Sequence, residues 1–135
     1  MYKKVLVPVA LDHSRSFKAA LDVARLLSDD GAVVTVLNVI EKMPSYVDEY
    51  LPESHSKARI SEVETELKAE LGGVLDAKPV VISGRAGSAI VDYAVKHAFD
   101  CIVIASHRPG LADYFLGSTA ARVVRHAPCS VHVIR

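Results

Sequence analysis

Short apolar runs alternate along this chain with segments in which apolar residues recur every three or four positions. The apolar runs have the length and β-branched composition of buried strands, and they lie at residues 5–9, 32–40, 79–82, 101–105 and 131–134. Helical periodicity marks residues 14–27, 57–71 and 118–126, and a further helix is expected after the turn at residues 83–87. Strands that alternate with helices in this way predict a parallel sheet joined by right-handed crossovers.

The helical periodicity also predicts which side chains face the core. The inward positions are Phe17, Ala20, Leu21, Ala24 and Leu27 in the first helix, Ile60, Val63, Leu67 and Leu71 in the second, and Ile90, Ala94 and Val95 in the third. Residues 41–56 show no clear period and contain two prolines, so we expect a loop there.

Three chain segments are predicted to meet at one edge of this sheet. In the common doubly wound order, the first and fourth of five strands lie side by side where the strand order reverses, and ligands bind outside the carboxyl ends of the strands at that point. The segments are residues 8–12 after the first strand, Val39 near the end of the second, and residues 104–108 at the end of the fourth.

The loop after the fourth strand ends in a helix start with the chemistry of a phosphate site. The first amides of a helix have no partner within it, and the helix dipole adds partial positive charge there. Gly117 would let an anion approach the backbone, and the hydroxyls of Ser118 and Thr119 could donate hydrogen bonds. Arg108 could give phosphate two donors, and His107 a further charge. The alternative is an ordinary strand–loop–helix connection with a serine as N-cap and a solvated arginine.

Apolar residues beside this helix start could hold a planar base. Val9, Ala10 and Leu11, together with Val39, offer an apolar slot with free backbone groups that suits an adenine ring, although the same residues could simply complete buried strands. Asp12 could accept hydrogen bonds from ribose hydroxyls, or it could cap the first helix. The expected lining at the end of the fourth strand consists of Ile104, Ala105 and Ser106.

Composition excludes several classes of function and indicates one domain across the 135 residues. Lys and Arg number 16, as do Asp and Glu, so no basic surface for nucleic acid is indicated. No run reaches the roughly 18–20 apolar residues of a membrane-spanning helix, and no signal-peptide pattern is seen, so we expect a cytoplasmic protein. The six histidines show no metal-ligand spacing, and Cys101 and Cys129 are expected to be reduced thiols.

Several stretches of the sequence resemble landmarks of a known family. They are KKVLVPV at residues 3–9, VLNVI at residues 36–40, SHRPGLADYFLGS at residues 106–118 and VVRHAPCSV at residues 123–131. Together they resemble the universal stress proteins, and the compact loop before Gly117 is most similar to the F/G-type branch, whose members bind ATP or AMP. The resemblance implies a doubly wound five-stranded parallel sheet of order 3-2-1-4-5 with helices on both faces, as in the adenine-nucleotide alpha-hydrolase-like fold.

The chain departs from the pattern of the nucleotide-binding branch at two places. That pattern is Gly-x-x-Gly, then nine residues, then Gly-Ser or Gly-Thr. Here Ala105 stands at the first glycine, Arg108 or a gap at the second, and only Gly117 with Ser118 is kept. Ala10 stands where the family usually has aspartate, with Asp12 two residues further on.

The leading hypothesis is therefore a cytoplasmic protein that binds ATP or AMP and acts in stress response or signalling. The alternatives are a slow ATPase or autokinase at the same pocket, and a nucleotide-free dimerisation module, which the missing glycines favour. No base stands beside a nucleophile and no Walker lysine is present, so no catalytic residue is assigned. Mg²⁺ could accompany ATP, since the acidic residues of segment 41–56 would otherwise repel phosphates.

The last strand is predicted to form a homodimer. In the expected order it lies at a sheet edge, and an apolar, β-branched edge invites pairing with another strand. Pairing with the same strand of a second copy about a two-fold axis would satisfy its free backbone groups. The resemblance implies the same arrangement, and the pairing residues would be Val131, His132, Val133 and Ile134.

Overall fold

The computed structural model describes residues 1–11, 14–41, 46, 50, 53–72, 76–106 and 116–135. Within them lies one parallel sheet of five strands in the order β3-β2-β1-β4-β5, which confirms the predicted order. The strands are β1 (Tyr2–Pro8), β2 (Ser28–Glu41), β3 (Ala77–Gly84), β4 (Cys101–Ala105) and β5 (Ser130–Ile134).

Four helices connect these strands within the described residues. They are α1 (Ser14–Leu27), α2 (Glu53–Leu71), α3 (Ala86–Lys96) and α4 (Ser118–His126). The prediction of a loop over residues 41–56 is wrong at both ends, because Glu41 completes β2 and α2 begins at Glu53. Most of residues 42–52 lie outside the described part of the chain. Among the described residues, no helix is long and apolar enough to cross a membrane.

Alternate residues of each strand face two separate hydrophobic layers, as expected of a doubly wound sheet. On one side α1 and α2 cover the strand positions Val5, Val7, Val34, Val36 and Val103. On the other side α3 and α4 cover Leu6, Leu37, Ile102 and Ile104. Both faces of the sheet are therefore buried, which explains why the strands read as nearly continuous apolar runs in the sequence.

The helix faces follow the predicted stripes with one exception. Ile90 and Ala94 of α3 are buried against the sheet, but Val95 is 59% exposed, so its predicted inward orientation is wrong. Successive residues of a helix lie about 100° apart, and Val95 is turned away from the stripe that Ile90 and Ala94 define. Val91 packs against the core in its place.

At their amino ends, β1 and β4 are held together by Asp100. Its two carboxylate oxygens accept hydrogen bonds from the backbone N–H groups of Lys3 and Lys4, both at 2.9 Å, and its own N–H donates to the Lys4 carbonyl at 3.0 Å. The Lys4 ammonium lies 4.8 Å from the centre of the Phe99 ring. The amino ends of β1 and β4 are therefore bonded to each other, and no cleft opens between these described strand ends.

At their carboxyl ends the same two strands separate. Pairing between β1 and β4 is confined to Val5 with Cys101 and Leu6 with Ile102, whereas β1 remains paired with β2 as far as Pro8. The last residues of β1 therefore leave β4 before either strand ends. A cleft opens between them, at the point where the strand order reverses.

Candidate functional site

A cleft of about 280 Å³ lies at the carboxyl edge of β1, β2 and β4. The first turns of α3 and α4 close its other side. Its lining residues are Pro8, Val9, Ala10, Leu37, Asn38, Val39, Glu41, Ala86, Ile90, Ile104, Ala105, Ser106, Gly117, Ser118, Thr119 and Ala120. Glu41 is the one charged side chain among these described lining residues.

The β1 side of the cleft is fixed by two hydrogen bonds to β2. The N–H of Val9 donates to the carbonyl of Leu37 at 2.8 Å, and the side-chain amide of Asn38 donates to the carbonyl of Val9 at 2.9 Å. The expectation that Val9 offers free backbone groups is therefore wrong, because β2 uses both of them. What Val9 presents to the cleft is an apolar side chain at a fixed position.

The α4 side of the cleft is a helix start with a glycine N-cap. The cap residue is Gly117, not a serine, and no side chain of the described residues caps the helix. The first backbone bond of the helix runs from the N–H of Ala121 to the carbonyl of Gly117 at 2.8 Å. The N–H groups of Ser118, Thr119 and Ala120 consequently have no acceptor within the helix, and they lie at the positive end of its dipole.

Nothing in the described structure requires glycine at position 117. Its φ of −55° and ψ of 149° are open to any residue. Among the described residues, the nearest atom to a β-carbon placed at this position would be the Ser106 carbonyl oxygen, at 3.4 Å, which is an ordinary contact distance. Gly117 lines the cleft, and its backbone there is covered by no side chain of its own.

The α3 side of the cleft carries a carboxylate that the sequence analysis did not assign to the site. Oε1 of Glu41 accepts a hydrogen bond from the N–H of Ala86, the first residue of α3, at 3.1 Å. The N-cap residue of α3, Arg85, makes no side-chain cap bond. Glu41 therefore serves as the cap of a helix that starts 45 residues later in the chain.

The structure brings together most of the predicted site residues. Those that line the cleft are Val9, Ala10, Val39, Ile104, Ala105, Ser106, Gly117, Ser118 and Thr119. Leu11 does not line it and packs instead against the layer formed by α1 and α2. Asp12, His107 and Arg108 lie outside the described residues, so their predicted contacts stay predictions.

Sequence reasoning missed seven of the lining residues. Strand periodicity places Leu37 on the same face as Val39, so Leu37 could have been found, whereas the same periodicity places Asn38 on the opposite face. Ala86 and Ile90 reach the cleft because α3 crosses back over β2, which the sequence pattern does not show. The complete set of missed residues is Pro8, Leu37, Asn38, Glu41, Ala86, Ile90 and Ala120.

The two cysteines do not have the properties of reactive groups. Both are free thiols, and Cys101 is buried where β4 begins. Burial raises the pKa of Cys101 to about 11, and burial also raises the pKa of Cys129. Among the described residues, no three His, Cys, Asp or Glu side chains are grouped so that they could hold a metal ion.

A sheet of order 3-2-1-4-5 with a cleft at its reversal point, faced by helix starts, defines a doubly wound α/β fold. The family model for the universal stress protein family matches residues 1–135. The chain therefore belongs to the universal stress protein family.

Curated relatives of full length support this membership. A Thermus aquaticus protein, described as the universal stress protein in the QAH/OAS sulfhydrylase 3′ region, is 33% identical over 140 residues and is matched over 100% of both chains. The universal stress protein G of Salmonella typhimurium is 28% identical, also over 100% of both chains. The second relative agrees with the resemblance to the F/G-type branch.

Solved structures share the fold. Universal stress protein UspA from Lactobacillus plantarum is 28% identical, with a TM-score of 0.68 over 99% of this chain and 98% of that chain. An Arabidopsis thaliana universal stress protein family protein, solved with AMP bound, is 19% identical, with a TM-score of 0.63 over 98% of this chain and 90% of that chain. At that identity the second likeness is one of fold alone.

Proposed function

We propose that this protein binds an adenine nucleotide, AMP or ATP, in the cleft at the carboxyl edge of β1, β2 and β4, with its phosphates at the start of α4. The observation that carries the proposal is the pairing of an apolar slot with an uncapped helix start. Val9, Val39 and Ile90 line the slot, and Gly117 begins the helix start at the other side. A nucleotide needs both features, because its base is planar and apolar on its faces and its phosphates are anionic.

The dimensions and chemistry of the cleft support this ligand class. Its volume of about 280 Å³ lies just below the range of roughly 300–1,000 Å³ that is typical of small-molecule sites. The N–H groups of Ser118, Thr119 and Ala120, together with two hydroxyls, supply the donors that a phosphate group requires. The AMP-bound Arabidopsis protein shows that this fold can hold an adenine nucleotide. We further propose that ATP, where it is the ligand, binds together with Mg²⁺.

The experiment that tests the proposal changes Gly117 in two steps. Gly117→Val adds a branched side chain at the helix start where we propose that phosphate binds, and should weaken AMP binding more than tenfold in calorimetry. Gly117→Ala is the matched control for folding, since its β-carbon would meet the Ser106 oxygen at an ordinary 3.4 Å. An unchanged affinity in the valine variant would place the nucleotide elsewhere.

Arg108 offers a second test of where the phosphates lie. We expect Arg108→Ala to weaken ATP more than adenosine, because the proposed partner of its guanidinium is phosphate. Equal losses for the two ligands would contradict a phosphate contact.

A stress-related signalling role follows from the family and is part of the proposal, as is the cytoplasmic location. In that role, the fraction of the protein with nucleotide bound would depend on the concentration of adenine nucleotide. Native purification followed by identification of co-eluting small molecules distinguishes it from the nucleotide-free alternative. Recovery of the protein without any adenine nucleotide, and no binding on adding AMP or ATP, would favour a nucleotide-free interaction module.

The proposed assembly is a homodimer through β5. The Ile134 carbonyl accepts the Ser106 N–H at 2.8 Å and so faces β4. In a parallel ladder the backbone groups of alternate residues face alternate sides, so those of Val131 and Val133 face the free edge. Val133→Pro removes one edge-facing donor without removing a bond to β4, and should leave monomers in sedimentation at tens of micromolar. A monomeric wild-type protein at that concentration would refute the assembly.

A further inference from the structure

The cleft is flanked by two helix starts that differ in what occupies them. The start of α4 has a glycine cap and no side-chain cap bond, so no carboxylate among the described residues occupies its first amides. The start of α3 is occupied by the carboxylate of Glu41, which accepts the Ala86 N–H at 3.1 Å. Gly117 and Glu41 line the same cleft, so one of the two helix starts attracts anions and the other presents a negative charge.

The position of Glu41 follows from the pairing of β2 with β3. Glu41 is the last paired residue of β2 and lies opposite Gly84, the last residue of β3. Leu37, Val39 and Glu41 are two residues apart in turn and share one face of the strand, which is the face toward α3. The apolar series therefore ends in a carboxylate, and α3 begins two residues after Gly84.

We propose that Glu41 is a specificity-determining residue of the nucleotide site. It keeps anions away from the start of α3, so that phosphate is accepted only at the start of α4. The cleft thereby selects nucleotides that carry phosphate at one position only, and it disfavours nucleotides with a second phosphate on the ribose. The selectivity rests on the proposed function, whereas the exclusion of anions from α3 can be measured without a nucleotide.

The first test follows inorganic phosphate by the backbone amide signals of ¹⁵N-labelled protein. In the wild type we expect phosphate to shift the signals of Ser118 and Thr119 and to leave that of Ala86 in place. In Glu41→Ala the Ala86 signal should shift as well. Glu62→Ala, which removes an exposed carboxylate from α2, should behave as the wild type. An Ala86 signal that responds equally with and without Glu41, or in neither protein, would overturn the exclusion.

The second test compares AMP with adenosine 3′,5′-bisphosphate in calorimetry. Glu41→Gln keeps an oxygen that can accept the Ala86 N–H but removes the charge. Two anions about 5 Å apart at a solvated site repel enough to change binding roughly fivefold. We take this separation for Glu41 and the second phosphate, and expect the preference of the wild type for AMP to fall by about that factor in Glu41→Gln. The Glu62→Gln variant should keep the wild-type preference.

The outcomes separate this inference from the proposed function. An identical ratio of the two affinities in the wild type and Glu41→Gln would overturn the specificity role even though AMP binds. If the wild type binds neither nucleotide, the proposed function fails, and the Ala86 signal in the phosphate titration still decides whether Glu41 excludes anions from α3.

Discussion

Gly87 permits the close approach of the two helices that flank the cleft, and its substitution has a predictable cost. It is the second residue of α3 and is buried against α4. A β-carbon at this position would lie 2.8 Å from Cδ, 3.1 Å from Cβ and 3.3 Å from Cγ of Arg122. The first distance is shorter than real contacts allow, so Gly87→Ala must displace the Arg122 side chain or separate α3 from α4.

Two opposing effects set the magnitude for Gly87→Ala. Replacing glycine by alanine within a helix contributes up to about 1 kcal/mol of stability. Overpacking a close contact costs about 1–3 kcal/mol. Because Arg122 is exposed, its outer atoms can move, but its Cβ cannot move without the helix backbone. We therefore expect a net loss of about 1 kcal/mol, which lowers the Tm of a chain this long by roughly 3–5 °C.

Arg122→Ala provides the matched background for this prediction. It removes the two outer contacts and leaves only the Cβ contact at 3.1 Å, so that a shift of a few tenths of an ångström suffices. In that background Gly87→Ala should be neutral or slightly stabilising, which corresponds to a coupling of about 1 kcal/mol between the two positions.

Urea unfolding of the wild type, both single variants and the double variant measures this coupling directly. Calorimetry with AMP on the same four proteins should show weaker binding only for the Gly87→Ala single variant, because a shift between α3 and α4 moves Ala86 and Ala120, which both line the cleft. The reasoning is refuted if Gly87→Ala changes the free energy of unfolding equally in both backgrounds, or if it stabilises the wild type.

Three further predictions concern other parts of the molecule. Asp100→Ala removes two charge-assisted hydrogen bonds at 2.9 Å and should cost about 2 kcal/mol in urea unfolding, whereas Asp92→Ala on the exposed face of α3 should cost almost nothing. Asn38→Ala leaves the Val9 carbonyl without its donor and should cost about 1–2 kcal/mol and weaken AMP severalfold in calorimetry. Burial raises the pKa of Cys101 from 9.0 to about 11. The contribution of the Cys101 thiol to stability is therefore complete below pH 9 and is lost as the pH rises toward 11. The fall in Tm between pH 9 and pH 11 should be smaller in Cys101→Ala than in the wild type.

The elements that the sequence predicted best are those bounded by polar or helix-breaking residues. β4 and α4 begin and end where the pattern placed them, at Cys101–Ala105 and Ser118–His126. β2 extends beyond the predicted residues 32–40 because its polar first residues are held by backbone pairing, as in the bridge between Tyr2 and Ser28. Such pairing depends on the neighbouring strand and leaves no trace in the hydrophobic pattern.

The candidate site was predictable where it follows from strand ends and was missed where it follows from side-chain contacts. Val9, Val39 and Ala105 were expected at the cleft because the reversal point of the sheet determines which strand ends meet. Glu41 was not, because an acidic residue after an apolar run is ordinarily the solvated start of a loop. Its role depends on the N–H of Ala86, which is 45 residues away in sequence and becomes a neighbour only through the pairing of Glu41 with Gly84.

The fold gives the two helix starts at the cleft the same positive dipole ends, and single residues make these two starts different in charge. In a parallel sheet every helix that follows a strand begins at the carboxyl edge, so α3 and α4 both direct the positive ends of their dipoles toward the ligand side. Gly117 leaves one of these ends open, whereas Glu41 neutralises the other. A ligand with one anionic end can lie in such a cleft in only one direction. The orientation of a bound nucleotide would therefore be determined by the charge at position 41 and the missing side chain at position 117. Removing the carboxylate from the start of α3 and placing one at the start of α4 should reverse which of the two helix starts prefers phosphate.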